Sequence, residues 1–390
     1  MTGRRVLDDV RVADFSRVLA GPYATMLLAD FGADVVKIEP PDGDETRRWR
    51  PPVDATGAST YFGSVNRGKR SVALDLTDAA QRAEAQRLAA TADVVIDNFR
   101  PGVMARFGLD RAALAAVNPR VVTCSITGFG GGVGAALAGY DLLVQAVGGL
   151  MSITGEADGP PTKAGVALVD VLTGQNALAG ILLALRERDR TGAGQHVEVT
   201  LLGSLLSALV NQAGAALATG EAPGRLGNAH PSIAPYAVFR AADRDLVIAV
   251  GTDRQFRTLA RLIGRPGLAD DARFATNPDR VAHRDELSAA LTDALAAAPA
   301  AEWVGVLGDA GVPAGLVHDV VEAIGYAERL GLDPVVRFGR AAGAAGIANP
   351  IELSATPAEY RSAPPRLDAD GPSPAWHEAS APPAHRKERP

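Results

Sequence analysis

The chain has 390 residues, 47% hydrophobic and 22% charged, a balance ordinary for a globular protein with a sizeable core. Its formal net charge of -6 argues against a nucleic-acid partner, and no run is expected to reach the roughly 18 apolar residues of a membrane span. One cysteine, Cys124, excludes an intrachain disulfide, and Arg4 and Arg5 have no apolar block behind them, so the expected location is the cytoplasm, away from any membrane.

Taken in order, residues 10–15 read as a strand, 23–31 as a helix stopped by Gly32, and 33–39 as a second strand. Strand, helix and strand within about thirty residues make a right-handed βαβ unit. The alternation goes on with strands at 71–76, 93–98 and 120–127 and helices at 78–90 and 110–117, the latter capped by Asp110. Cys124 falls inside the strand at 120–127 and reads as core. A further helix begins near Tyr140. Residues 164–170 have strand character and end in one carboxylate, Asp170, with a helix expected from 171 to 185. A strand at 195–201 and one long helix at 204–219 follow.

This pattern implies an α/β fold with a parallel, Rossmann-like sheet in a large domain. Residues 236–240 and 245–250 then read as a hairpin, with helices at 255–263, 284–297 and 301–310. The expected domains are therefore 1–224, a smaller α+β domain at 225–325, a return to the large domain at 326–379, and a Pro-rich, charged tail at 380–390 that reads as disordered.

Several stretches carry possible chemistry. Asp170 has two readings. It is the N-cap of the helix behind it, or a reactive carboxylate at the mouth of the sheet, poorly hydrated and favoured as an anion by the helix dipole. Gly128–Ala135 loosely fits a dinucleotide-binding loop. No acidic residue closes a following strand, so a flexible loop that lets backbone approach a ligand is the better fit. Asn98-Phe99-Arg100-Pro101-Gly102, with Arg106 beyond, is either a turn with surface arginines or a rim suited to phosphate and adenine. Arg47, Arg48 and Arg50 around Trp49 are too few charges for a nucleic-acid patch. The six histidines are scattered with no metal spacing, and no serine sits in a nucleophile elbow.

Six ordered blocks carry a resemblance. They are Ala20-Gly21-Pro22-Tyr23 with Phe31–Glu39, Asn66–Ser71 with Leu74-Asp75-Leu76, Asp97–Gly102, Asn118-Pro119-Arg120, Gly139-Tyr140-Asp141 and Gly227–Pro231. From about Leu7 to Leu367 the chain resembles the class III CoA-transferases, the CaiB/BaiF family that includes formyl-CoA transferase. The resemblance implies a nucleophilic Asp170. It implies coenzyme A contacts from Val18, Leu19 and Ala20, from Leu74, Asp75, Leu76 and Thr77, from Asn98, Phe99, Arg100 and Arg106, and from Tyr140 and Asp141. It also implies acyl-CoA and carboxylic acid substrates, no permanently bound cofactor, no metal, and an intertwined homodimer.

Three positions depart from formyl-CoA transferases and point away from formate and oxalate or alter the C-terminal contacts. Leu19 stands in place of a Gln, residues 224–230 lack a run of glycines, and Leu367-Asp368-Ala369-Asp370-Gly371 replaces a Leu-Gly-x-His-Thr stretch. An α-methylacyl-CoA racemase shares the family fold, but its acid–base pair uses a His where this chain has Tyr140. A silent acyl-CoA binder is the remaining alternative.

Overall fold

The computed structural model describes residues 5–338 and 345–377, so the tail expected at 380–390 lies outside the described residues. The chain divides into two compact units. The larger holds the chain up to Leu150, Ala164–Gly214 and the chain from Asp333; the smaller holds Met151–Lys163 and Ala215–Leu332.

In the larger unit, β1 (Arg11–Asp14), β2 (Asp34–Glu39), β3 (Arg70–Ala73), β4 (Val94–Asp97), β5 (Val122–Thr127) and β6 (His196–Thr200) form one sheet in the order β3-β2-β1-β4-β5-β6. Every neighbouring pair is parallel. The helices of this unit are α1 (Ala20–Asp30), α2 (Thr60–Ser64), α3 (Ala79–Thr91), α4 (Val103–Arg106), α5 (Arg111–Val117), α6 (Asp141–Val147), α8 (Leu168–Thr191) and α9 (Leu201–Ala208), while the single turn α7 (Leu150–Ile153) and the helix α10 (Val210–Thr219) each begin in this unit and end in the smaller one. The strands are rich in valine because both faces of a parallel sheet are covered. Val12, Val35, Val94 and Cys124 pack toward α1 and α8, while Ala13, Val36, Val72 and Val95 pack toward α3 and α5. Each fully buried valine contributes about 1.5–3 kcal/mol of apolar burial. Asp110 caps α5 as expected, accepting from the Ala113 N–H.

The edge strand β3 is closed by side chains. Asp370 Oδ2 accepts from the Ser71 N–H at 3.0 Å and Asp368 Oδ1 from the Ala73 N–H at 3.0 Å. Two carboxylates thus take the place of a neighbouring strand's carbonyls and blunt the edge. This is what the departing residues near the C-terminus do.

Three sequence expectations are corrected. Residues 164–170 are not a strand: α8 begins at Leu168 and runs to Thr191, well past the expected end at 185. Its buried residues Val169, Thr173, Ala177, Ile181 and Leu185 recur at helical spacing. The expected single helix at 204–219 is two, α9 and α10, broken at Leu209 and Val210, where Val210 has φ 38°. Finally, α8 is long and apolar enough to cross a membrane by length and composition, with mean hydropathy 1.6 over its best window, although 44% of that window is buried inside the protein. Isolated polar residues such as Asn176 hide the average from a search for unbroken apolar runs.

In the smaller unit, β7 (Tyr236–Arg240), β8 (Asp245–Ala249) and β9 (Ala314–Leu316) form an antiparallel sheet in that order. The expected hairpin is β7 and β8, paired in the register Tyr236 with Ala249. Helices α11 (Asp253–Leu262), α12 (Asn277–Ala282), α13 (Arg284–Leu295), α14 (Ala300–Asp309) and α15 (Val320–Arg329) complete it. A short antiparallel pair, β10 (Val335–Arg337) and β11 (Ala345–Ile347), belongs to the returning chain of the larger unit.

Helices α1 and α8 approach closely at Gly174, where a Cβ would meet the Ala20 carbonyl oxygen at 2.6 Å. Backbone cannot move aside as a flexible side chain can. Gly174→Val is expected to cost about 2 kcal/mol and to lower the melting temperature by about 5 °C, read by thermal unfolding followed by circular dichroism.

Candidate active site

In an open parallel sheet, ligands bind beyond the carboxyl ends of the strands where the strand order reverses. Here that point lies between β1 and β4. The loop after β1 is Ser16–Leu19 and the loop after β4 starts at Asn98. The two are tied together: the Arg17 N–H donates to Asn98 Oδ1 at 2.8 Å, and Asn98 Nδ2 donates to the Arg17 carbonyl at 2.7 Å. The Asn98 amide is thus spent on the loop backbone.

Beneath the loop lies a buried group of charges. Lys37 Nζ donates to the Ser16 carbonyl at 2.7 Å and pairs with Asp44 at 2.9 Å. Asp44 in turn accepts from the Val18 N–H at 3.2 Å. Val18 has φ 68°, an unusual conformation for a β-branched residue. Asp14, at the end of β1, accepts from Ser16, Thr25 and Lys69. Burial opposes ionisation of Asp44 and of Asp14, but Lys37 with the Thr46 hydrogen bonds at the first, and Lys69 and Lys37 with the Ser16 and Thr25 hydrogen bonds at the second, together outweigh it, and both carboxyls stay below their ordinary range.

Asp170 sits in the first turn of α8, three residues after the cap position Ala167. It is not the cap. The free N–H groups of that turn are taken by Asp141, from the start of α6: Asp141 Oδ1 accepts from the Val169 N–H at 2.8 Å and from the Asp170 N–H at 3.2 Å. Among the described residues, no group hydrogen-bonds the Asp170 carboxylate. The helix dipole does not set its ionisation as the sequence suggested. Burial first, and then the charge of Asp141, push Asp170 up to about 7. Tyr61 lies close enough to feel it: burial, followed by Asp170, Asp141 and Asp44, pushes its phenol up to about 12, so it remains protonated.

Asp170 lines a cleft of about 200 Å³ together with Val18, Leu19, Ala20, Asn98, Phe99, Arg100, Tyr140 and Asp141. The Gly-rich loop forms one wall, and its ends pass so closely that a Cβ on Gly128 would lie 2.5 Å from the Gly139 Cα. Leu74, Asp75, Leu76 and Thr77 line a second depression of about 370 Å³, which shares Arg17, Phe99 and Arg100 with the first. Phe99 carries the Arg17 guanidinium 5.1 Å from its ring centre. Arg106 lines neither depression. It is exposed on α4, its guanidinium 6.0 Å from the ring centre of Phe107, which does line the second. Sequence reading missed Gln145, whose spacing of four from Asp141 on one helix was a readable signal. It also missed the Lys37–Asp44 support, because nothing local shows that the chain after β2 turns back to bring Asp44 onto the Lys37 ammonium.

Residues 7–371 match the model of CoA-transferase family III. The chain belongs to this family. It is 42% identical over 372 residues to a succinate–glutarate CoA-transferase of Agrobacterium fabrum, covering 93% of this chain and 92% of that one. It is 42% identical over 368 residues to an acetyl-CoA:oxalate CoA-transferase of Acetobacter aceti, covering 93% of each. A CaiB/BaiF family protein from Brucella suis, solved by crystallography, superposes with a TM-score of 0.86 at 41% identity, over 94% of this chain and 98% of that one. The protein is thus a family III CoA-transferase with the α/β fold of the CaiB/BaiF proteins.

For this CoA-transferase the ionisation of Asp170 has a cost in stability. The folded value near 7 lies above the ordinary carboxylate value near 4, so the folded state resists losing the proton. The penalty starts near pH 4, grows as pH rises, and is complete above about pH 7. Asp170→Asn, which cannot ionise, is expected to melt a few degrees higher than the natural chain at pH 8.5, with the gap shrinking as pH falls toward 4. Melting curves across that range test it.

Proposed function

We propose that the enzyme moves CoA between acids through a covalent aspartyl intermediate on Asp170. The observation that carries this reading is a partly buried carboxylate with no hydrogen-bond partner among the described residues, facing a cleft at the switch point of the sheet. Such a group is poorly hydrated and basic, which suits a nucleophile.

In the first step an Asp170 oxygen attacks the thioester carbonyl of the donor; the C–S bond breaks, giving a mixed anhydride and CoA thiolate. The thiolate then attacks the aspartyl carbonyl, releasing the donor acid and leaving an aspartyl-CoA thioester. An acceptor carboxylate attacks that thioester, forming a second anhydride and thiolate. The thiolate attacks the acceptor's acyl carbon, yielding the new acyl-CoA and a free Asp170 carboxylate. Charge and atoms balance with no added reagent. Each anhydride step develops an oxyanion that backbone N–H groups of the Gly-rich wall are suited to stabilise.

The second depression fits the nucleotide end of CoA. Ile38, Leu74, Leu76 and Phe99 offer apolar contact for a flat ring, and Arg17 and Arg100 stand at the border with the Asp170 cleft, where phosphates would pass. Binding energy there would orient the distant thioester. The relatives' names pair CoA with succinate, glutarate and oxalate, which supports a short dicarboxylic acid as substrate. The departures from formyl-CoA transferases, Leu19 among them, favour the longer acids of that set. A homodimer belongs to the same reading, supported by apolar side chains left exposed on α8 and α9: Leu182, Leu183 and Leu206.

Asp170→Ala is expected to lower transfer by at least about 1,000-fold while acyl-CoA binding stays within about threefold. Hydroxylamine should trap an Asp170 hydroxamate in the natural chain incubated with succinyl-CoA, seen by peptide mass spectrometry. Retained transfer in the variant, or α-carbon deuterium exchange without transfer, would sink the reading. A donor and acceptor panel including formate, oxalate, succinate and glutarate tests the substrate class.

A further inference from the structure

An acidic side chain in the first turn of a helix ordinarily folds back onto the free N–H groups there. A carboxylate so engaged is a poor nucleophile, since its lone pairs are already shared. In this protein Asp170 holds that position on α8, yet Asp141 does the bonding, through the Val169 and Asp170 N–H groups. Asp141 is itself held. Gln145, one turn further along α6 and fully buried, donates from Nε2 to Asp141 Oδ2 at 2.6 Å. Its Oε1 accepts from the Ala164 N–H at 2.9 Å, in the segment that leads into α8. The start of α6, the entry to α8 and the first turn of α8 are therefore joined through two side chains.

We infer that Asp141 and Gln145 are positioning residues for Asp170: Asp141 occupies the helix start so that the Asp170 carboxylate stays unbonded and turned to the cleft, and Gln145 fixes Asp141 in that pose. This rests on the reading of Asp170 as nucleophile. It reassigns Asp141, which the family resemblance made a CoA contact. Both oxygens of its carboxylate are engaged by protein groups, so its contribution to the cleft is geometry and charge. The charge matters as well as the bonds. The ionisable groups around Asp170 are Asp141 on α6, Tyr61 on α2, and Tyr140, Glu45, Arg17 and Arg100 along the cleft. After burial, Asp141 is the neighbour that makes Asp170 harder to ionise, and a more basic carboxylate attacks a carbonyl better.

The test compares the natural enzyme with Asp141→Asn, Asp141→Ala and Asp170→Ala, measuring CoA transfer against pH with succinyl-CoA as donor. Asp141→Asn keeps an oxygen for the helix start and removes the charge. The acid limb of its kcat/KM profile is expected to move down by about one pH unit, with KM for the acyl-CoA within about twofold. Asp141→Ala loses the bonds too, and its kcat is expected to fall about 100-fold, again with little change in KM. A structural role alone would lower activity evenly and leave the limb in place. An unmoved limb in Asp141→Asn, or a raised KM with kcat unchanged in either variant, overturns the proposal, the second outcome restoring the CoA contact. Should Asp141→Ala fail to fold, the shift in the isosteric Asn variant decides alone. Asp170→Ala separates the two readings: if it still transfers CoA, the nucleophile reading has failed; if it is inactive while the limb does not move, only the positioning role has.

Discussion

A helix must pair the N–H groups of its first turn, and in α8 that requirement is met from outside the helix by the Asp141 carboxylate. Most of what is chemically unusual in the molecule follows from this. The acidic residue of the turn, Asp170, is left without a bond, close to a second carboxylate and partly out of water. Burial first and the neighbouring carboxylate second raise its proton affinity, and with no hydrogen bond to offset them they bring it near neutrality. The dipole of a helix start is worth at most about 2 kcal/mol, too little to reverse burial plus a neighbouring charge.

The opposite wall depends on a different economy of charge. Lys37, Asp44, Asp14 and Lys69 are buried, and the loop Ser16–Val18 hangs from them by its backbone groups. Burial pulls the Lys69 ammonium down to about 8 even beside Asp14. Buried ion pairs add little to net stability once desolvation is counted. Their use here is to hold one loop conformation, with Val18 in the left-handed region, against the many that a flexible loop prefers. Asn98 applies the same restraint from β4, so two loops from the two sides of the switch point are tied together.

Much of the fold was legible in the chain. The strands of the parallel sheet, the hairpin of the smaller unit and the Asp110 cap all rest on local signals: valine-rich runs, turn residues and an acid before a helix. Residues 164–170 misled for a physical reason. A short apolar run satisfies strand and helix alike; here only its end, from Leu168, is helical, with Val169 packed into the core shared with α1 and the sheet, while 164–167 form neither helix nor strand. The long helix expected at 204–219 failed similarly, since its composition suits a helix throughout and the break at Val210 is conformational.

By itself the sequence determined the family, most of the elements, and the blocks at Ala20, at 98–101 and at 139–141 that meet at the cleft, because these depend on residue type and spacing. It could not assign a task to each side chain. Asp170 and Asp141 are both acids near helix starts, and nothing local tells which one caps and which one is left exposed to chemistry. Asn98 likewise carries groups that suit a ligand, and the fold spends them on the backbone of Arg17. The tertiary structure decided these roles, since a hydrogen bond between residues 28 or 81 positions apart exists only once the chain has brought them together.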